Sequence, residues 1–175
     1  MLKISLTVIL GICLILVSCN NPHNAIKDTI GKQVMTSITD TLKTKYSILR
    51  YINNPSCTSC QLHAGGWKTY RRKIHKKYQD YVKIIFVIET KKVEEAERLM
   101  RMYKPADVYM VDTVISFLHD NQFHSGLGKD FVVLLDSTCR VIAVSNPCES
   151  KKAEDLIYHL IDNNITFDNT EKISN

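Results

Sequence analysis

The 175-residue sequence has no internal repeat and no low-complexity tract, which excludes a solenoid and a fibrous chain. It also has no large surplus of charge. With 23 Lys and Arg against 18 Asp and Glu the formal net charge is +5, too mild an excess to suggest nucleic acid. The apolar run Ile4 to Leu16 falls short of the roughly 20 residues a spanning helix needs. No histidine follows the second cysteine of the C-x-x-C motif at Cys57 to Cys60, where Gln61 stands instead, and this excludes haem attachment. What is there, at 45% hydrophobic and 23% charged residues, has the composition of an ordinary soluble protein with one core.

Met1 to Cys19 reads as a unit apart. Lys3 supplies a positive n-region and Ile4 to Leu16 an h-region. Leu16-Val17-Ser18-Cys19 then resembles the lipobox of bacterial lipoproteins, with an aliphatic residue, a small residue, and the cysteine that becomes the acylated N-terminus. Residues 1–18 are read as the lipoprotein signal peptide and Cys19 as the lipidation site. Two or more fatty chains there would hold the mature protein on a membrane, where a single chain would bind only marginally. An ordinary signal peptide or an uncleaved anchor is the plainer reading, and each still places the domain outside the cytoplasm. Asn20 and Asn21 follow the cysteine with no aspartate to signal inner-membrane retention, so a periplasm-facing lipoprotein is expected.

The compartment gives the cysteines their meaning. Cys13 leaves with the signal and Cys19 takes lipid, so Cys57, Cys60, Cys139 and Cys148 remain where disulfides form and persist. Residues 19–44 are read as a lipidated tether followed by an amphipathic helix. Ile26, Ile30, Val34, Ile38 and Leu42 recur every four residues, which predicts a helix over Ala25–Lys43 with one apolar stripe. That stripe either packs on the domain or serves for dimerisation or membrane contact.

Residues 45–165 carry the pattern of one α/β domain. A strand is predicted over Lys45–Ile52, and a helix over Cys57–Tyr78 with Leu62, Trp67, Tyr70, Ile74 and Tyr78 on one side. A fully buried strand follows at Tyr81–Ile88 and a helix at Val93–Tyr103 stopped by Lys104-Pro105. Then come a strand at Asp107–Val111, a short helix at Thr113–Asn121, a hairpin of Phe131–Leu135 and Arg140–Ser145, and a helix at Lys151–Asp162. This order predicts a three-layer fold, a mixed central sheet flanked by helices, with the N-terminal helix as an extra. Residues 166–175 read as a polar tail.

Cys57-Thr58-Ser59-Cys60 falls where strand gives way to helix. With Ser56 as N-cap, both thiols would lie over the first turn, close enough to pair, and the positive end of the helix dipole would favour a Cys57 thiolate. A mixed disulfide at Cys57 would be resolved by Cys60.

This motif on this order of elements resembles the thioredoxin superfamily, and within it the membrane-attached TlpA/ResA type of thiol-disulfide oxidoreductase. The resemblance covers residues 45–162, and the added helix and strand around Lys104-Pro105 favour that type. It implies a thioredoxin-like fold, protein thiols or disulfides as partners, electron exchange through Cys57 and Cys60, reduction as the direction, and no cofactor. Three positions depart from the pattern: Ser56 stands in place of an aromatic residue, Gln61 in place of a proline, and Lys129-Asp130-Phe131 where the family has a cis-proline. A redox-inactive binding or assembly module of the same fold is the alternative these departures favour.

Other candidates have bland counterparts. Cys139 and Cys148 sit at opposite ends of the return strand, too far apart to pair; Cys148 is a possible third thiol or simply a free cysteine. Cys57, Cys60 and His63, with His119 or His124, form a loose copper-like set, though a helical histidine is more often solvated. No metal site is assigned. Gly65-Gly66 within the predicted helix suggests close packing or a bend. The basic run Lys68 to Lys77 is either a solvated face or one that approaches anionic lipid or acidic partners. Oligomeric state is not readable.

Overall fold

Tyr46–Asn53 is buried along nearly its whole length on both faces, as a central strand must be, and the chain builds outward from it as β1. A computed structural model of the chain describes residues 22–35, 44–53, 63–114 and 116–171. The elements that follow β1 are α2 (Ala64–Tyr78), β2 (Val82–Glu89), α3 (Val93–Tyr103) and β3 (Val108–Asp112). After them come α4 (Phe117–Asp120), the hairpin β4 (Asp130–Leu135) and β5 (Val141–Val144), α5 (Lys151–Asp162) and α6 (Phe167–Glu171). A further helix, α1 (Pro22–Thr29), precedes β1.

The five strands form one sheet in the order β3-β2-β1-β4-β5. β1, β2 and β3 run parallel, joined by crossover helices; β4 is antiparallel to β1, and β5 to β4. Side chains alternate across this sheet, so each strand feeds two cores. On one face Ile48, Phe86 and Val132 pack under Trp67 of α2, Leu99 of α3 and Ile157 of α5. On the other, Leu49, Val87 and Val133 pack with Val34, Phe117 and Phe123. The fold is thus the expected three-layer α/β arrangement with an extra N-terminal helix.

That helix is shorter than the four-residue periodicity predicts. It ends at Thr29, and Gly31 takes φ 84, a left-handed conformation that a continuing helix cannot contain. A Cβ at Gly31 would also lie 2.5 Å from the Phe167 ring. The buried residues of α1 are Ala25 and Thr29, while Ile26 and Ile30 remain exposed. Val34 reaches the core in extended chain, beside an isolated bridge between Gln33 and Arg140. Ile38 and Leu42 lie outside the described residues. At the other end the expected polar tail begins with α6, whose Phe167 N–H donates to the buried Asp136 carboxylate.

Candidate thiol site

α2 does not run unbroken from Cys57. Among the described residues it begins at Ala64, after His63 with left-handed backbone at φ 38, ψ 39 and no capping side chain. A left-handed residue interrupts the i to i−4 ladder, so the first turn, and the dipole end with it, belongs to Ala64, Gly65 and Gly66. The helix expected from Cys57 thus begins at Ala64, and Cys57 and Cys60 precede it in the chain. Both lie outside the described residues, as do the Ser56 cap and the lipidation candidate Cys19. The glycine pair also needs another account: a Cβ at Gly65 or Gly66 would meet nothing within 4 Å, so close packing is not their reason.

Residues 54–62 connect β1 to His63 ahead of α2, and Arg50 of β1 and His63 both border a cavity of about 490 Å³. His63, Ala64, Gly65, Gly66 and Trp67 form one side. Arg50 and Asp130 form the base, with Asn146 and Cys148 opposite.

The base is an ion pair. Arg50 stands in the middle of β1 with 1% of its side chain exposed, its guanidinium 5.3 Å from the Trp67 ring centroid and 5.4 Å from that of Phe86. Its Nε donates to Asp130 Oδ1 at 3.0 Å and its Nη2 to Oδ2. The register makes this possible: Ile52 faces Asp130 across the β1/β4 ladder, so Arg50 meets it on the diagonal of the same face. The Asn53 N–H donates to the Lys129 carbonyl at 2.6 Å, extending the ladder by one bond. Lys129-Asp130-Phe131, which departs from the resembled pattern, is here the start of β4, with the Asp130 carboxylate held by Arg50.

Behind the base, on the opposite face, Glu89 at the end of β2 accepts hydrogen bonds from the Tyr51 hydroxyl and, at 2.7 Å, from Asn53 Nδ2. Burial first, and then the bond to Glu89, hold the Tyr51 phenol well above its usual range. This ties the C-terminal ends of β1 and β2 together beside the cavity.

Cys148 lies just past β5 in a turn where its N–H donates to Asn146 Oδ1 at 3.1 Å. The residue as a whole is exposed, yet burial pushes its thiol up to about 11, against the opposing charge of the nearby Arg50. It is thus brought to the same cavity as the start of α2. Cys139 is in the hairpin turn at φ 60, and both are free thiols. Burial, and then the Asp136 carboxylate, raise Cys139 as well.

Of the loose metal set, Cys57 and Cys60 lie outside the described residues. His119 is 93% exposed on α4, and His124 Nδ1 accepts from the Gly126 N–H at 2.9 Å as part of a turn. Among the described residues no group of three or more His, Cys, Asp or Glu side chains is placed to hold a metal ion.

Arg50 and Asp130 were not singled out from the sequence. The signal was a charged residue inside the apolar stretch Tyr46–Ile52 and another just ahead of the apolar run Phe131–Leu135. A lone charge within a buried strand requires a partner, though its identity depends on register.

A mixed sheet of this order, with helices on both faces and a strand-to-helix junction opening on a cavity at the sheet's end, is the thioredoxin-like fold. Solved structures agree. The thioredoxin domain of a thiol-disulfide oxidoreductase from Bacteroides vulgatus is similar with a TM-score of 0.53 and 12% identity, over 69% of this chain and 82% of that one. A domain of a possible thiol-disulfide isomerase from Cytophaga hutchinsonii gives 0.54 and 15%, over 74% and 92%. A hypothetical protein from Sinorhizobium meliloti gives 0.55 and 10%, over 70% and 73%. At these identities the likeness is one of fold. No family model and no curated protein matches the chain.

Proposed function

We propose that this chain is a lipid-anchored, extracytoplasmic thiol-disulfide oxidoreductase that exchanges electrons with protein disulfides through Cys57 and Cys60. The observation that carries the reading is the coincidence of a C-x-x-C sequence with the connection from β1 to α2, whose flanking residues Arg50 and His63 to Trp67 line a cavity at the sheet's end. The solved structures of similar fold include proteins described as thiol-disulfide oxidoreductases, which supports the same chemistry here.

In the reductive direction a Cys57 thiolate attacks one sulfur of a substrate disulfide. A mixed disulfide forms and the other substrate sulfur leaves as thiolate. Cys60 then attacks Cys57, the second substrate thiolate leaves, and the pair is left oxidised. Two electrons have passed to the substrate, and an upstream dithiol must return them. The role of Cys57 as attacking thiol rests on the resemblance, since the dipole of α2 does not begin there. Cys148 is proposed as a third thiol of the site, slow to ionise and so a weak nucleophile at neutral pH. Cys19 is proposed as the acylated anchor. Loss of radiolabelled palmitate and of membrane fractionation in Cys19→Ser is the expected result.

The deciding measurement is the reduction potential of the pair, by glutathione titration with thiol alkylation, using Cys57→Ser and Cys60→Ser as controls. A reversible couple within roughly −120 to −270 mV supports the oxidoreductase. A pair that stays oxidised well below about −300 mV, or thiols that never pair, supports the second reading. That reading, a redox-inactive binding or assembly module, is favoured by one observation: Asp130 at the start of β4 is occupied by Arg50.

A further inference from the structure

The thiol cavity is one end of a longer depression. From Cys148, Gly65 and Gly66 it continues as a second hollow of about 530 Å³ between α2 and the start of α5, walled by Thr69, Tyr70 and Lys73 on one side and by Ser150 and Lys151 on the other. Lys73, Lys151 and Glu154 carry it on into a third of about 490 Å³ with Lys76, Lys77 and Tyr158. A shallow groove thus runs along α2 away from the redox end.

Its charge is lopsided. α2 bears Lys68, Arg71, Arg72, Lys73, Lys76 and Lys77 and no acidic residue. Part of this charge is answered locally. Lys73 and Lys151 both reach Glu154, at 3.1 and 3.0 Å, Lys151 also reaches Asp155, and Lys77 reaches Asp162. Along the two hollows Lys73, Lys76, Lys77 and Lys151 face Glu149 and Glu154, and Lys76 is exposed and forms no ion pair among the described residues, so the lining keeps a positive excess.

Its floor holds an unpaired polar group. Tyr70 is 3% exposed, packs edge-on to Trp67 and stacks on Tyr158, and its buried hydroxyl has no hydrogen-bond partner among the described residues. Burying a hydroxyl without a partner is unfavourable. A ligand group that enters the groove and pairs with it would offset that cost; a flat bilayer surface would not reach it.

We infer that this groove binds an acidic, extended segment of a polypeptide partner, its carboxylates against Lys73 and Lys76 and a polar group on the Tyr70 hydroxyl. Because the groove opens into the cavity at Cys148, the segment would flank the partner's reactive disulfide or thiol. This part rests on the redox reading; the binding itself does not.

The test uses the full chain and a cysteine-free fluorescent peptide rich in glutamate, with glutamine and lysine counterparts, followed by anisotropy. The acidic peptide should bind at least roughly tenfold more tightly than either counterpart at about 20 mM salt and lose most of that preference at about 300 mM. Lys73→Glu/Lys76→Glu should abolish the preference, while Lys91→Glu/Arg98→Glu, the same charge change on the other side of β2, leaves it. Tyr70→Phe should weaken binding roughly two- to tenfold without altering its salt dependence. An acidic peptide that binds no better than the lysine one overturns the inference. So does undiminished binding by the folded double variant, or capture by phosphatidylglycerol vesicles without peptide binding. A companion assay separates the two proposals. Binding of the acidic peptide with no reduction of any disulfide sinks the redox reading alone. Reduction of a neutral small disulfide with no acidic preference sinks this one alone.

Discussion

Removing the carboxylate of Asp130 should be more damaging than removing the guanidinium it serves. In Asp130→Asn the Arg50 charge stays where it is, 1% exposed between two aromatic rings, with its counter-charge gone. Breaking a fully buried pair from one side costs about 3–5 kcal/mol. Here Asp130 is 32% exposed and the guanidinium has contacts besides this carboxylate, so the cost falls to about 2–3 kcal/mol. Arg50→Met deletes the buried charge itself. It forfeits the ring contacts, on the order of 1 kcal/mol, but leaves only an aspartate that can turn to solvent, so the net loss should be about 1 kcal/mol or less. The double variant Arg50→Met/Asp130→Asn should recover much of what Asp130→Asn loses. The assay is urea unfolding followed by the fluorescence of Trp67, the single tryptophan, which is fully buried beside Arg50. A loss of about 2–3 kcal/mol corresponds to roughly 5–10 °C in Tm for a domain of this size. Because the guanidinium is buried, about 0.5 M salt should leave the ranking unchanged. An Asp130→Asn chain as stable as its parent, or an Arg50→Met chain less stable than Asp130→Asn, would refute the reasoning.

Other expectations are quickly stated. Asp136 is buried, and although burial alone would raise it, bonds from Thr138, Phe167 and Arg140 hold its carboxyl below the usual range. A depressed folded value means stability that is present above the unfolded value near 4 and lost as the pH falls through the folded one. Asp136→Asn should therefore cost about 1–2 kcal/mol at pH 7, and its curve should converge on the parent's in denaturation scans below about pH 4. Gly31→Ala should destabilise by at least about 1 kcal/mol, since φ 84 disfavours a side chain and the Phe167 ring fills the space. Gly66→Ala, with open space around its Cβ, should stabilise by roughly 0.5–1 kcal/mol in calorimetry. Peptide-resolved alkylation at pH 7 should label Cys148 slowly despite its exposure and accelerate up to about pH 11; fast labelling at neutral pH would contradict its raised thiol.

The elements most legible in the sequence were those whose pattern and packing agree. The run Tyr81–Ile88 and the periodic Val93–Tyr103 are β2 and α3 to within a residue, because each presents its apolar groups with the period its burial requires. Reading failed where a single backbone conformation overruled a good pattern. Ile26, Ile30 and Val34 keep helical spacing, but Gly31 turns left-handed and the stripe is split between a short helix and extended chain. Likewise His63 ends the helical reading of Cys57–Tyr78 from the N-terminal side. The base of the cavity was hidden for a different reason. That Arg50 needs a counter-charge follows from burial alone; that Asp130 supplies it depends on a ladder between residues 80 positions apart.

The way residues 31–34 lie along β5 bears on how the molecule can be made. Gly31 and Val141 exchange contacts through the Gly31 N–H on the Val141 carbonyl, the Val141 N–H bonds Lys32, and the Val34 N–H bonds the Cys139 carbonyl. Residues 31–34 thus form a lining for a hairpin more than a hundred residues downstream. During synthesis it has nothing to pair with until that hairpin exists, so its docking waits on the slow closure of a very long loop. Until then the β5 edge stands open, and a second unfinished copy could occupy it. Folding yield should accordingly fall with protein concentration in refolding, and a Val34→Lys chain should aggregate more than its loss of equilibrium stability explains.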